Sequence, residues 1–413
     1  MTHTSAATNA NPGARSGKAP PACLAPPARP PGYSARVMRI RPTVAAVDLD
    51  ALRHNLGVAR GLVGPDCAVL AAVKGDAYGH GAVRCALALS SAPEPQERVD
   101  WFGVALVEEG AQLRAAGIST PILCLGGVGR FGADEVVHLG LVPVLYDEGD
   151  AERLDAAARA AGVRQRVHLK VDTGMGRLGV PLPHWGRFLD RLARFGNLDV
   201  EGFMTHFATA DAPVDSADGH FVLEQARRYA EALKTLRARG YAPRLRHTCN
   251  SGGLVQYPTF HMDMVRPGLL LYGVAPSPET PRLRPVLSVS TQVLVVRDLP
   301  ARASVSYNRS FVTHRASRIA TLPVGYADGY PRVLGGRAQV LIAGRRCPVV
   351  GVVCMDLCMV DVTDVPDWVE AGDEAMLLGA QGDARIGVEE LAAWAETIPY
   401  EILCGFSERV PRV

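Results

Sequence analysis

The chain has 413 residues, 48% hydrophobic and 21% charged, enough for a sizeable core and for two domains or one large barrel with an appendage. Its formal net charge of +2 gives no bulk electrostatic reason to expect nucleic acid or a membrane surface as partner, and no apolar stretch is long enough to span a bilayer. Nine cysteines are scattered without paired spacing, and Cys354 and Cys358 have no second pair or nearby histidine, so buried, reduced thiols in a cytoplasmic protein are expected and no metal site.

Residues 1–40 are dominated by Pro, Ala, Gly, Ser and Thr, with doublets such as Pro20-Pro21 and Pro26-Pro27. Such a segment buries too little apolar surface to offset its ordering entropy, so a disordered tail is expected, and it lacks the apolar core of a secretory signal. From 41 to 279, short apolar runs alternate with longer amphipathic ones. Strands are expected at 69–73, 101–105, 122–125, 142–145, 167–171, 200–204, 245–248 and 262–265, with helical spacing between several of them, as at 148–161 and 221–239. About eight strand-then-helix repeats predict a (β/α)8 TIM-type barrel. After a Pro-rich linker at 276–282 the texture becomes β-branched and turn-divided, at 286–296, 318–323, 338–342 and 347–353, which predicts a mostly antiparallel β domain over 280–413.

A barrel enzyme carries its chemistry at the C-terminal ends of its strands. The first such end offers Lys74, and only four of the 44 basic residues are lysines, namely Lys18, Lys74, Lys170 and Lys234. A guanidinium stays protonated, whereas a partly desolvated lysine can lose its proton and condense with a carbonyl. Other strand ends offer Lys170, Asp172 and Arg177, then His206, then the turns Asn250-Ser251-Gly252 and Arg266-Pro267-Gly268, whose glycines let backbone amides approach an anion such as phosphate.

Four stretches carry a resemblance. They are Ala72-Val-Lys-Gly-Asp-Ala-Tyr-Gly-His-Gly81, Lys170-Val-Asp-Thr-Gly-Met-Gly-Arg-Leu-Gly179, Arg266-Pro-Gly-Leu-Leu-Leu-Tyr-Gly273 and Pro323-Val-Gly-Tyr-Ala-Asp-Gly-Tyr-Pro-Arg332. From about residue 43 to its end, the chain resembles the bacterial alanine racemase family. The resemblance implies pyridoxal 5'-phosphate as cofactor and two-base interconversion of L-alanine and D-alanine, the latter for peptidoglycan. Lys74 matches the lysine that holds the cofactor covalently and Arg266 the arginine facing its pyridine nitrogen. Tyr78, Ser251, Gly268 with Leu269, and Tyr400 match phosphate-side positions, and His206 the histidine beside the ring. Tyr307 matches the second base, presented by the partner subunit of a head-to-tail homodimer with shared active sites. Arg177 and the Met355 backbone amide match groups that bind the substrate carboxylate. Lys170 matches a lysine that is carbamylated to N6-carboxylysine in several members.

The chemistry of those roles is coherent. Two bases on opposite faces of Cα exchange its proton more directly than one that must swing. A tyrosine, whose ordinary pKa is about 10, needs nearby positive charge to serve as one of them. Arg266, where a carboxylate is usual in other enzymes of this cofactor, would leave the ring nitrogen unprotonated and so favour racemisation over transamination. One departure stands out: Asn308 follows Tyr307 where the family commonly has glycine, which leaves open a serine or broader-specificity racemase. Position 75, glycine where alanine is frequent, is a lesser one. A decarboxylase on the same barrel would carry a carboxylate in place of Arg266. A non-catalytic cofactor-binding homeostasis protein would lack both Tyr307 and the β domain. Tyr326 and Tyr330 fit turn packing as well as function, Asp172 fits a turn cap, Asp356 fits a shaping role, and His80 and His168 read as structural.

Overall fold

The computed structural model describes residues 40–91, 98–129, 132–366 and 368–413. The tail expected at 1–40 lies, Ile40 apart, outside the described residues. All eight expected barrel strands form, preceded by β1 (Val44–Val47). They are β2 (Ala68–Ala72), β3 (Trp101–Val104), β4 (Ile122–Cys124), β5 (Val142–Leu145) and β6 (Gln165–Asp172), at whose end the short β7 (Val180–Pro181) pairs; β8 (Leu198–Met204), β9 (Leu245–His247) and β10 (Met264–Val265) complete the set. These eight strands run parallel in the order β10-β2-β3-β4-β5-β6-β8-β9. Between β9 and β10 the Asp263 amide donates to Arg246 O at 3.0 Å, so the barrel nearly closes.

Side-chain alternation explains the filling of the barrel. Leu70, Trp101, Leu123, Val142, Val144, Met204 and Met264 form a cluster of their own inside, while the alternate residues Val69, Phe102, Ile122 and Phe203 join the larger core under the helices. On β6 the same alternation turns His168 inward, opposite Gly202, where any Cβ would fall 2.4 Å from the imidazole. Strand β10 is shorter than the expected 262–265 because Met262 adopts φ 54°, outside the extended region.

The second sheet has the order β1-β11-β19-β16-β17-β18-β15-β12, with β20 beside β19. Its further strands are β11 (Leu287–Gln292) and β12 (Val295–Leu299). After a two-stranded hairpin of β13 (Ser304–Val305) and β14 (Phe311–Val312) come β15 (Ser317–Leu322), β16 (Gln339–Ile342), β17 (Arg345–Val350), β18 (Cys358–Asp361), β19 (Glu374–Gln381) and β20 (Ala384–Ile386). The single run expected at 286–296 divides in two. Val293 donates to Asp373 O and Leu294 to Thr321 O, so the chain crosses from the β19 side to the β15 side at that point. Strand β1 pairs antiparallel with β11, Val44 opposite Ser290, so the first strand after residue 41 belongs to this sheet and not to the barrel. Two short helices, Val388–Trp394 and Pro399–Gly405, follow β20. Among the described residues no helix is long and apolar enough to cross a membrane.

Candidate active site

Lys74 opens a left-handed turn directly after β2. Gly75, Asp76, Ala77 and Tyr78 all have φ between 52° and 62°. For the three that are not glycine this costs about 1–2 kcal/mol each, so surrounding contacts must offset it. They are dense. Asp76 Oδ1 accepts the Ala82 amide at 2.7 Å, and Glu109 accepts the Gly75 amide at 2.6 Å through one oxygen and the Ala105 amide at 2.7 Å through the other. The buried His80 holds the Ala77 and Tyr78 carbonyls through Nδ1, both at 2.9 Å, and burial lowers its pKa to about 4, so it stays neutral. From the β domain, Arg412 Nε donates to Gly79 O at 2.8 Å, and the helix Pro399–Gly405 comes so close that a Cβ on Gly79 would sit 2.1 Å from Leu403 O.

The turn projects the Lys74 amine into a field of cations. Burial, and then Arg177, lower its pKa, with Arg266 acting in the same direction and Glu109 opposing. Tyr78 is buried with its ring 4.9 Å from Tyr272 and 5.9 Å from the half-exposed Tyr400. A Cβ on Gly268 would fall 2.4 Å from Tyr78 Oη, so only glycine leaves this surface open. Ser251 Oγ accepts the Gly268 amide at 3.0 Å, and the buried Leu269 begins the short turn behind it. Tyr78, Ser251 and Gly268 therefore form one polar cradle at the rim that carries Lys74, and a phosphorylated carbonyl cofactor fits it: amides and hydroxyls for the anion, a deprotonatable amine for the carbonyl.

Arg266 is 5% exposed and, among the described residues, carries no carboxylate partner. Instead its Nη2 donates to Thr205 O and Thr248 O at 2.9 Å, its Nη1 meets His247 Nδ1 at 2.9 Å, and His206 Nδ1 lies 3.3 Å away. Burial lowers the guanidinium pKa to about 10, which leaves it a cation at neutral pH. Burial and the Arg266 charge hold both His206 and His247 well below the usual histidine range, so both are neutral acceptors for it. The line continues inward: His247 Nε2 meets His168 Nδ1 at 2.8 Å, and His168 Nε2 faces Glu201 at 3.8 Å, too far for a hydrogen bond. Burial keeps His168 neutral despite that carboxylate, and the Arg166 and Arg244 guanidiniums hold Glu201 ionised against its own burial.

Strand β6 delivers the other cations. Lys170 is 5% exposed and, among the described residues, its amine has no hydrogen-bond or ion-pair partner. Burial, then Arg266 and Arg177, lower its pKa to about 8. Asp172 accepts the Gly174, Met175 and Gly176 amides at 2.9–3.2 Å, so it caps the loop that leads to the exposed Arg177.

The barrel rim thus brings together Lys74, Tyr78, Lys170, Arg177, His206, Ser251, Arg266, Gly268 and Leu269, with Tyr400 joining from the β domain. Tyr307 and Met355 stand apart, 69% and 54% exposed on the β domain. Among the described residues the Met355 amide has no acceptor, while its carbonyl and that of Cys354 take the Ala327 and Tyr326 amides at 3.0 Å. Gly325 permits this, since a Cβ there would lie 2.3 Å from Cys354 O. Tyr330 is fully buried under the same turn, in keeping with packing, whereas Tyr326 is exposed. Asn308 has φ 58°, the left-handed region in which glycine and asparagine are the two easy residues. The thiols are less uniformly buried than expected, with Cys404 exposed beside the Lys74 turn. Sequence reasoning missed Glu109, Glu201 and His247. Glu201, a lone charge in an apolar run, gave a usable signal; the other two depend on contacts across the rim.

Comparison with known proteins adds the following. The family described as "Alanine racemase, N-terminal domain" matches residues 47–276, and "Alanine racemase, C-terminal domain" matches residues 286–413. The chain is 48% identical to the alanine racemase of Symbiobacterium thermophilum over 377 residues, covering 90% of this chain and 97% of that one. It is 43% identical to that of Geobacter sulfurreducens over 380 residues, covering 91% and 98%. Among solved structures, the alanine racemase of Streptomyces coelicolor superposes with a TM-score of 0.83 at 36% identity, over 90% of this chain and 97% of the other. That of Bartonella henselae, solved with covalently bound pyridoxal phosphate, superposes with a TM-score of 0.80 at 30% identity, over 90% and 99%.

Proposed function

The chain belongs to the alanine racemase family, a pyridoxal phosphate-dependent enzyme family, and on that footing we propose that it interconverts L-alanine and D-alanine through Lys74 and Tyr307. The observation that carries this reading is the desolvated Lys74 amine, set among Arg177, Arg266 and Lys170 at the same strand-end rim as the Tyr78–Ser251–Gly268 cradle. When bound, pyridoxal phosphate supplies the electron sink that makes the Cα proton of an amino acid removable.

The chain's own residues do the rest. Tyr78, Ser251, Gly268, Leu269 and Tyr400 would hold the phosphate end, and Lys74 would hold the carbonyl end. His206 would border the ring, and Arg266, a cation, would face the pyridine nitrogen. His247, neutral and itself tied to His168, has no proton to spare for that nitrogen and keeps Arg266 oriented. Arg177 and the free Met355 amide bind the substrate carboxylate. Lys74 Nζ then takes the proton from Cα of D-alanine while Tyr307 Oη delivers one to the opposite face; from L-alanine the two exchange roles.

Lys170 fits the carbamylated role. With a pKa of about 8, roughly a tenth of its amine is neutral at pH 7, against about 3 in 10,000 for an ordinary lysine. The neutral amine can add CO2 and release its proton. The resulting anion would pair with the Arg177 guanidinium in place of an unfavourable cation pair.

From Leu49 to residue 279 the chain would thus provide the cofactor-binding barrel, and β1 together with residues 280–413 the domain that presents Tyr307. The exposure of Tyr307 and Met355 supports a head-to-tail homodimer in which each subunit completes its partner's site. We read the enzyme as cytoplasmic, supplying D-alanine for peptidoglycan; the unpaired described cysteines support a reducing compartment. The left-handed Asn308 supports alanine as substrate, because it fills the conformational role of glycine without altering the backbone.

Two measurements test the reading. A panel of L-amino acids given to the purified enzyme should yield D-alanine fastest, and a faster D-serine product would favour the serine racemase alternative. Equal amounts of Lys74→Ala and Tyr307→Phe protein, each inactive alone, should recover about a quarter of wild-type activity after subunit exchange. About half of the dimers then carry one site with both bases and one with neither. Verified exchange without recovery would reject the shared site.

A further inference from the structure

The loop that carries Tyr307 holds a backbone its sequence does not favour. Ser306 has φ 68° and ψ 178°, a region almost confined to glycine, and Asn308 and Arg309 follow at φ 58° and 51°. Glycine would adopt the Ser306 conformation without strain, so the retained side chain calls for its own explanation.

Its contacts supply one. Ser306 Oγ donates to Val352 O at 3.0 Å and accepts the Val352 amide at 3.2 Å, so one hydroxyl satisfies both backbone groups of a residue 46 positions away. Gly351 makes room for it, since a Cβ there would fall 2.5 Å from Ser306 Cβ. Three residues beyond Val352 lies Met355, whose carbonyl is already pinned by the Ala327 amide. The stretch from Gly351 to Met355 is therefore gripped at one end by Ser306 and at the other by the turn after Gly325.

We propose that Ser306 is a positioning residue for the second base: its hydroxyl locks the Tyr307 loop to Val352 and so fixes Tyr307 relative to the Met355 amide. This rests on Tyr307 serving the L-face of Cα. A strained serine is tolerated because the double hydrogen bond sets the distance between a base and a carboxylate-binding amide that lie far apart in sequence.

The test uses holoenzyme in D2O and follows initial deuterium entry at Cα of L-alanine and of D-alanine separately, with Tyr307→Phe as reference. Ser306→Gly removes the hydroxyl and suits the backbone, so its unfolding midpoint should stay near that of wild type. Deuterium entry into L-alanine should fall roughly 10- to 100-fold, the scale of an ångström-sized misplacement. Entry into D-alanine, which needs only Lys74, should change less than about twofold. Ser306→Ala should show the same face selectivity with a lower unfolding midpoint. Equal loss on both faces, or rates within twofold of wild type on both, would overturn the proposal while leaving the role of Tyr307 intact. If Tyr307→Phe itself spares the L-face, the base assignment fails and the Ser306 role falls with it.

Discussion

Lys74 and Tyr307 stand in opposite surroundings. The lysine is largely desolvated, sits on a left-handed turn braced by Glu109, Asp76 and His80, and is pressed by neighbouring cations. The tyrosine is 69% exposed on a hairpin loop that three left-handed residues hold in shape. In the proposed reading, the barrel rim therefore prepares reactivity, while the β domain prepares direction. A two-base site can be assembled from one group that is activated in place and another that is only aimed.

The strongest way to break this contrast is Lys74→Arg. It keeps the charge and most of the length but cannot lose the proton, so racemisation should fall by at least about 1,000-fold with the fold retained. Residual activity within tenfold of wild type, measured as D-alanine formed per unit time, would show that the barrel side contributes charge and not chemistry.

Next is the contact through which the β domain braces the lysine turn. Gly79→Ala would drive a Cβ into the Leu403 carbonyl and burden a φ of 81°. Since backbone cannot swing aside, a loss of about 3 kcal/mol or more is expected by chemical denaturation. An unchanged midpoint would mean that the helix Pro399–Gly405 is not pressed against the turn.

Lys170 sharpens the electrostatic half of the contrast through pH. Its folded pKa is lowered to about 8 from 10.5, so between those values the unfolded chain holds a proton that the folded chain lacks. Stability from this site should rise with pH across that window, by at most about 3 kcal/mol, and lie at its low level below pH 8. In CO2-free buffer Lys170→Met should abolish that slope, and bicarbonate should flatten it in the wild type. Parallel pH profiles for the two proteins would remove the cation penalty on which carbamylation depends.

The smallest effect belongs to Asn308. Replacement by glycine should change stability by only a few tenths of a kcal/mol, whereas valine at φ 58° should cost about 1–2 kcal/mol. Equal behaviour of the two variants in thermal unfolding would remove the conformational explanation for asparagine there.

Much of the barrel could be read from residue order because apolar runs, amphipathic spacing and strand-end polar residues recur with a fixed rhythm. Lys74 stood out by the scarcity of lysine, and the anion turns by their glycines. Other features depend on partners distant in sequence. Nothing in Gly-Asp-Ala-Tyr announces four consecutive left-handed residues, since three of them acquire that backbone only against Glu109, Arg412 and the helix Pro399–Gly405. The alternation Arg-Val-His-Leu-Lys-Val-Asp on β6 looks like a strand with one face in water, yet its polar face fills the barrel, where His168 finds His247. Met262 ended β10 early through a backbone angle that a methionine does not advertise.

Strand β1 carries a consequence for how the chain is made. Val44 lies opposite Ser290, so the first described strand finds its partner only after the whole barrel has been synthesised. Until then β1 offers an unpaired edge with Ala45 and Val47, both buried in the finished protein, facing water. The emerging barrel is thus an incomplete object with a sticky margin, and its maturation waits on a contact of very long sequence separation. A fragment cut within the 276–282 linker would keep that margin permanently. For handling the protein, the two halves are better expressed as one chain than recombined from pieces.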